Sequence, residues 1–182
     1  MKSKKTTLQV VPVKPKKDLL SSLRHLKNQF GACGLKLSTE DAAMSIEQIG
    51  YWAEFSSNIL STMVKIGGPN ARNDIKQLLP LNIDGLIAPM VESSYGLENF
   101  ISAVRDFTTP MQFERLKKQI NIETETAVRQ LNSILSAPEA KYIDEITIGC
   151  SDLSESMKKP RWDESFIAQV VKVVKKIKQK NI

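Results

Sequence analysis

At 182 residues the chain is long enough for one domain with a real core, and too short for a complete eight-stranded β/α barrel, which takes roughly 250. Hydrophobic residues make up 41% and charged residues 25%, and no apolar run approaches the roughly 18 residues of a membrane span, so a membrane protein is not expected. The net charge of +6 belongs to the ends: residues 1–17 carry six Lys and residues 171–182 five, neither with an acid, which leaves 15 basic and 20 acidic residues between 18 and 170. That body is acidic, and the lysine-rich ends lack the interleaved aromatics of a stacking platform, so they read as solubilising tails and nucleic acid is not an expected partner.

Residues 1–17, with Pro12 and Pro15 among lysines, read as a basic flexible leader, and residues 18–182 as a single β/α domain. The apolar stretch at 8–13 is too short and too proline-broken for a secretory signal. Cys33 and Cys150 lack metal or redox spacing and read as reduced thiols, which places the chain in the cytoplasm.

From Asp18, the residues Leu19, Leu20, Leu23, Leu26 and Phe30 recur at helical spacing and predict a first amphipathic helix ending near Gly31 and Gly34. A strand is expected over 33–37. Ser38 and Asp41 resemble a capping box for a helix running towards Leu60. A second strand is expected over 62–66, with Pro69 in the first turn of a helix carrying Ile75, Leu78 and Leu79. The third strand, 83–90, leads after Ser93 to a helix with Leu97, Phe100, Ile101 and Val104. A fourth strand, 119–122, precedes one helix bearing Val128, Leu131, Ile134 and Leu135, and 145–148 is the fifth. A last helix starts at an Asp163 cap, with Phe166, Ile167, Val170, Val171, Val174 and Ile177 facing the sheet and lysines outward.

Strand ends spaced about 24 to 32 residues apart match one β/α unit with right-handed crossover. The fold class is therefore α/β: a parallel β/α barrel of TIM type, incomplete, with about five β/α units. Each predicted strand delivers polar residues at its carboxyl end: Glu40 and Asp41, Lys65, Glu92, Glu123, then Asp152. Any one of these acids could simply cap a helix or favour its dipole. Five in register point to a shared mouth, where Glu123 and Asp152 offer hard oxygens to Mg²⁺ or Mn²⁺ and leave positions for water and substrate.

Gly67-Gly68-Pro69 lacks the lysine and hydroxyl spacing of a phosphate loop and reads as a tight turn. His25, the only histidine, falls on the leading helix, where a surface or packing role is expected. Trp52 and Trp162 read as packing residues.

The run Met63-Val64-Lys65-Ile66-Gly67-Gly68, the block Ala88-Pro89-Met90-Val91-Glu92-Ser93, and the segments Ile120-Asn121-Ile122-Glu123-Thr124 and Ile148-Gly149-Cys150-Ser151-Asp152-Leu153 together resemble the HpcH/HpaI aldolase and citrate lyase beta-subunit family over roughly residues 32–157. The resemblance implies a metal-dependent β/α barrel that makes or breaks a carbon–carbon bond beside a pyruvate-like or acyl enolate. On it, Glu123 and Asp152 match the metal carboxylates, and the amides around Cys150, Ser151 and Asp152 match the loop receiving the substrate carboxylate. Lys65 stands where the family usually has arginine steadying the enolate oxygen, Asn121 where aldolases often have Gln holding a water on the metal, and Glu92 has a supporting place at the mouth.

Three departures accompany it. Lysine cannot supply the planar fork of arginine. Glu40-Asp41 stands where the aldolase branch usually carries a Glu-His acid/base pair, so Glu40, Asp41 or a metal-bound water is left as the proton carrier. About three strands of a full barrel are absent, so the chain is either a fragment or a shortened homologue that covers two open edges by homo-oligomerising or with its terminal helices. The expected activity is a metal-dependent carbon–carbon lyase acting on a 2-oxo acid or acyl substrate. The alternative is a catalytically degenerate homologue serving as a binding or assembly module.

Overall fold

The computed structural model describes residues 17–180; the basic leader, apart from Lys17, lies outside the described residues. Helix α1 (Lys17–Phe30) packs Leu23 onto Ile59 and Leu60, with Leu20, Leu35 and Phe55 around them. Strand β1 (Gly34–Ser38) leads to α2 (Ile46–Ser56), and β2 (Ser61–Lys65) to α3 (Arg72–Leu78). Strand β3 (Gly85–Ala88) is followed by α4 (Ser94–Asp106) and a short α5 (Pro110–Arg115). Strand β4 (Lys117–Ile122) precedes α6 (Glu125–Arg129), α7 (Leu131–Ser136) and a 3-10 turn at Pro138–Tyr142. Strand β5 (Glu145–Ile148), α8 (Cys150–Ser156) and α9 (Glu164–Lys178) complete the described chain.

All four strand pairings are parallel and the spatial order is the chain order, β1-β2-β3-β4-β5, which forms a curled, incomplete α/β barrel. Alternation along each strand divides the sheet into two chemistries. Val64, Leu86, Ala88, Ile120 and Ile122 join Ile49, Ile75, Leu97, Phe100, Ile101, Leu131 and Ile134 in the outer core. The intervening positions Ser38, Lys65, Gln119, Asn121 and Glu123 are polar and buried outside that core. The register aligns Ser38 with Lys65, Lys65 with Ile87, Ile87 with Gln119 and Gln119 with Glu145. Two aspartates just before strands staple the strand starts: Asp84 accepts from the Thr62 amide at 2.6 Å, and Asp144 from the Lys118 amide at 2.7 Å.

Several local expectations are corrected. The capping box of α2 is Ser45 with Gln48, not Ser38 with Asp41. The Ser38 hydroxyl instead accepts from the amides of Glu40 and Asp41, which folds residues 39–44 into a turn carrying both acids over Lys65. Pro69 precedes α3 in the turn rather than sitting in its first helical turn. The helix expected after β4 breaks at Gln130 into α6 and α7, and α5, whose cap is Thr109 with Gln112, was not foreseen. Trp52 packs on the core as expected, whereas Trp162 is 79% exposed. Helix α9 buries Phe166, Val173 and Ile177 but leaves Ile167 and Val171 half exposed, so only part of its apolar stripe is covered. Among the described residues no helix is long and apolar enough to cross a membrane.

Candidate active site at the strand carboxyl ends

Glu123 follows β4 directly and is 2% exposed, a charged group that burial alone would make costly. Two donors compensate. The Met90 amide, just beyond β3, donates to Oε1 at 2.9 Å, and Asn121 Nδ2 donates to Oε2 at 3.0 Å. Met90 reaches that position with a positive φ of 53°, uncommon for a residue with a side chain. On the other flank, the Gly149 amide donates to the Ile122 carbonyl at 3.2 Å, which sets the end of β5 beside that of β4. A Cβ on Gly149 would come within 2.5 Å of Glu123 Oε2, so only glycine allows this approach. Gly149 opens α8, whose first turn carries Asp152. Backbone geometry therefore brings the Glu123 and Asp152 segments together, as the sequence pattern suggested.

The other sequence candidates gather at the same end of the sheet. Glu92, exposed after β3, accepts from the Thr124 hydroxyl at 2.7 Å, and Thr124 in turn caps α6. Lys65, 3% exposed at the end of β2, places Nζ 2.7 Å from Asp41 Oδ1 and 2.9 Å from Glu40 Oε2. Burial pulls the Lys65 ammonium down, but the bonds to Asp41 and Glu40 more than offset it and leave Lys65 above the ordinary lysine value. Lys65 correspondingly holds Asp41 below the ordinary carboxylate value. Lys65 is thus a charged, non-nucleophilic ammonium whose charge is already answered by two carboxylates. Cys150 is half-buried and Ser151 exposed at the start of α8. His25 lies exposed on α1, edge to face with Phe30, away from this mouth.

Three features were missed. Arg161 reaches Ser151 Oγ at 3.4 Å and brings an unforeseen cation to the α8 start. Asp74 accepts from Thr39 Oγ1 at 2.7 Å and the Gly67 amide at 2.9 Å, tying the β1 and β2 loops together. Asn121 Oδ1 is buried with no hydrogen-bond partner among the described residues. Long-range pairings such as these carry no signal in local sequence spacing.

The donor set suits a hard divalent cation in kind. Glu123 and Asp152 carry oxygen donors, and the orphaned Asn121 amide oxygen, costly to leave unpaired, is an acceptor that a bound water or ligand would satisfy. Among the described residues no group of three or more His, Cys, Asp or Glu could hold a metal ion. Mg²⁺, which keeps several waters and takes one or two carboxylates, fits such oxygen donors in kind.

The comparisons agree with this architecture. The citrate synthase SbnG resembles the chain with a TM-score of 0.76 at 18% identity, over 89% of this chain and 70% of that one. An HpcH/HpaI aldolase from Desulfitobacterium hafniense DCB-2 gives 0.73 at 19% identity, over 90% and 71%. An HpcH/HpaI aldolase/citrate lyase family protein from Burkholderia cenocepacia J2315 gives 0.73 at 13% identity, over 90% and 73%. At these identities the likeness is one of fold. No curated protein matches the sequence significantly. Residues 38–180 match the family described as HpcH/HpaI aldolase/citrate lyase, a span from the end of β1 through α9. The chain belongs to the HpcH/HpaI aldolase/citrate lyase family.

Proposed function

We propose that the chain is a metal-dependent carbon–carbon lyase of aldolase type acting on a 2-oxo acid or acyl substrate. The observation that carries this reading is the buried Glu123 carboxylate, oriented by Met90 and Asn121 and pressed against the glycine that opens the Asp152 helix. Glu123 and Asp152 would hold Mg²⁺, with Mn²⁺ as the substitute, and the ion would supply Lewis-acid polarisation of the substrate carbonyl.

The remaining roles fall to side chains and amides of the chain. The Cys150 and Ser151 amides, at the start of α8, are unspent helix donors that orient the substrate carboxylate. Asn121 Oδ1 accepts a hydrogen bond from a water or a substrate hydroxyl at the mouth. Lys65 offsets negative charge developing on the substrate oxygen, to the extent that Glu40 and Asp41 release it. Held ionised by Lys65, Asp41 is a weak base, which leaves Glu40 or a metal-bound water as the other candidates to move a proton. Glu92 supports the mouth through Thr124.

Two free cysteines, Cys33 and Cys150, suit a reducing compartment such as the cytoplasm. Strands β1 and β5 are the sheet edges, and we infer a homo-oligomer that covers them.

The second reading, a catalytically degenerate homologue acting as a binding or assembly module, draws on the closed Lys65–Glu40–Asp41 cluster, which leaves no free cation there for a substrate. Melting temperature separates the two. Mg²⁺ with oxalate, a pyruvate-enolate mimic, should raise the melting temperature of the wild type synergistically and leave Glu123→Gln unmoved; no rise in either protein would favour the degenerate reading.

A further inference from the structure

Arg105, in the last turn of α4, sets its guanidinium carbon 4.2 Å from the ring centre of Tyr142 and 5.1 Å from that of Phe113. The two rings meet edge to face at 5.5 Å. With Thr108, Pro110 and Glu114 these three residues wall a cleft of about 310 Å³. Phe113 lies in α5 just before β4, and Tyr142 in the 3-10 turn just before β5, so the cleft sits at the amino ends of these strands. Glu123 and Gly149 lie at the opposite ends of the same two strands, which makes this site separate from the mouth.

Its outer cations are not paired with acids among the described residues. Lys118, buried beneath Phe113, is spent on Asp144 at 3.4 Å and on the Phe113 and Leu116 carbonyls. Arg105 and Lys141, by contrast, form no ion pair among the described residues. The Lys141 ammonium lies 5.0 Å from the ring centre of Tyr142.

We propose that this cleft is a second binding site, in which Arg105 receives a compact oxyanion, a carboxylate or a phosphate, beside Tyr142, with the exposed Lys141 adding positive field from outside the cleft wall. Cation–π contact with the two rings holds the guanidinium, and those of its five N–H groups not turned to the Tyr142 oxygen can meet an oxyanion. The volume lies at the small end of ligand sites and suits a short organic acid or a phosphate group. Glu114 on the wall partly offsets the positive field, which favours a compact anion over a polyphosphate. Lys141 beside the phenol, with Arg105, holds Tyr142 below the ordinary tyrosine value.

The test titrates inorganic phosphate and, separately, succinate into the full chain at ionic strength held constant with chloride. Melting temperature and the tyrosinate absorbance of Tyr142 are followed together. Saturable binding should raise both the melting temperature and the pH at which the phenol ionises. Affinity should fall at least tenfold in Arg105→Gln and severalfold in Lys141→Gln, stay unchanged in Glu123→Gln, and lose its absorbance signal in Tyr142→Phe. A response to phosphate alone assigns a phosphate ligand, and one to succinate alone a carboxylate. If Arg105→Gln lowers the ligand-free melting temperature, the exposed Lys141→Gln variant carries the comparison. No saturable binding of either anion, binding that both cation variants leave intact, or binding lost in Glu123→Gln would overturn the proposal.

Discussion

The Met90 amide donates to Glu123 Oε1 across 2.9 Å from a backbone held at a φ of 53°. A side-chain-bearing residue in this region carries roughly 1 kcal/mol of steric cost, which the surrounding structure must offset. The strain lets the chain turn out of β3 with its N–H directed back to a buried carboxylate one strand away. Met90→Gly relieves the strain and keeps the donor, so its stability should stay within about 1 kcal/mol of wild type, on the favourable side, with the Mg²⁺ and oxalate response retained. Met90→Pro removes the N–H and imposes a negative φ, and should cost about 3 kcal/mol or more and abolish the response. Urea unfolding with and without Mg²⁺ measures both.

Gly149 makes the complementary contact. Its replacement by alanine would put a methyl group 2.5 Å from Glu123 Oε2 and 2.6 Å from Glu123 Cβ, and because that Cβ is fixed to the end of β4 the backbone must part there as the carboxylate shifts. Gly149→Ala should destabilise by about 1–3 kcal/mol and weaken Mg²⁺ binding roughly tenfold or more, because it shifts a ligand without removing it. Calorimetric titration of Mg²⁺ with oxalate gives the second figure, and an unchanged affinity would count against Glu123 as a ligand.

The legible part of the molecule is the part that local pattern determines. The sequence places strand β5 at its observed bounds, the Asp163 cap, and a helix start just after Ser93, because alternation and capping are properties of a few consecutive residues. It misses the Ser45 cap, because Ser38 and Asp41 imitate a capping box while bonding within their own turn. The nearness of the Glu123 and Asp152 segments was readable from strand ends in a parallel sheet. The positive φ of Met90 and the two acids on Lys65 were not, since they depend on partners 33 and about 24 residues away held by tertiary packing, and the unpaired oxygen of Asn121 follows from burial that local spacing does not show.

The Lys65 cluster should show in the pH dependence of stability. Asp41 has a folded pKa below its unfolded value, so its contribution is present above about pH 4 and is lost as the pH falls through the lower folded value. Lys65 has a folded pKa above its unfolded value, so its contribution persists to about pH 10 and is lost as the pH rises beyond it. Asp41 and Glu40 are about half exposed, and solvent screening keeps the effect modest. Lys65→Met should therefore flatten the acid limb below pH 4 in a plot of melting temperature against pH, and leave the neutral region parallel to wild type. An acid limb identical in both proteins would mean that the ion pairs contribute nothing to folding.

Asn121 separates a structural from a ligand-directed reading of the mouth. Its amide nitrogen serves Glu123, while its oxygen is buried without a partner, a condition that costs about 1–3 kcal/mol if nothing binds there. Asn121→Leu, close in shape, removes both the orphaned oxygen and the donor to Glu123, so the two effects oppose each other and ligand-free stability should change by less than about 1 kcal/mol. The Mg²⁺ and oxalate response should nevertheless disappear. Asn121→Asp sharpens the distinction, because a second carboxylate beside Glu123 repels it and should lower the melting temperature without metal at neutral pH. Mg²⁺ alone should then restore more stability to Asn121→Asp than it adds to wild type, since the cation offsets the repulsion and gains an oxygen ligand. If Mg²⁺ stabilises the two proteins equally, the Asn121 oxygen does not face the metal, and the mouth must be assigned to another ligand.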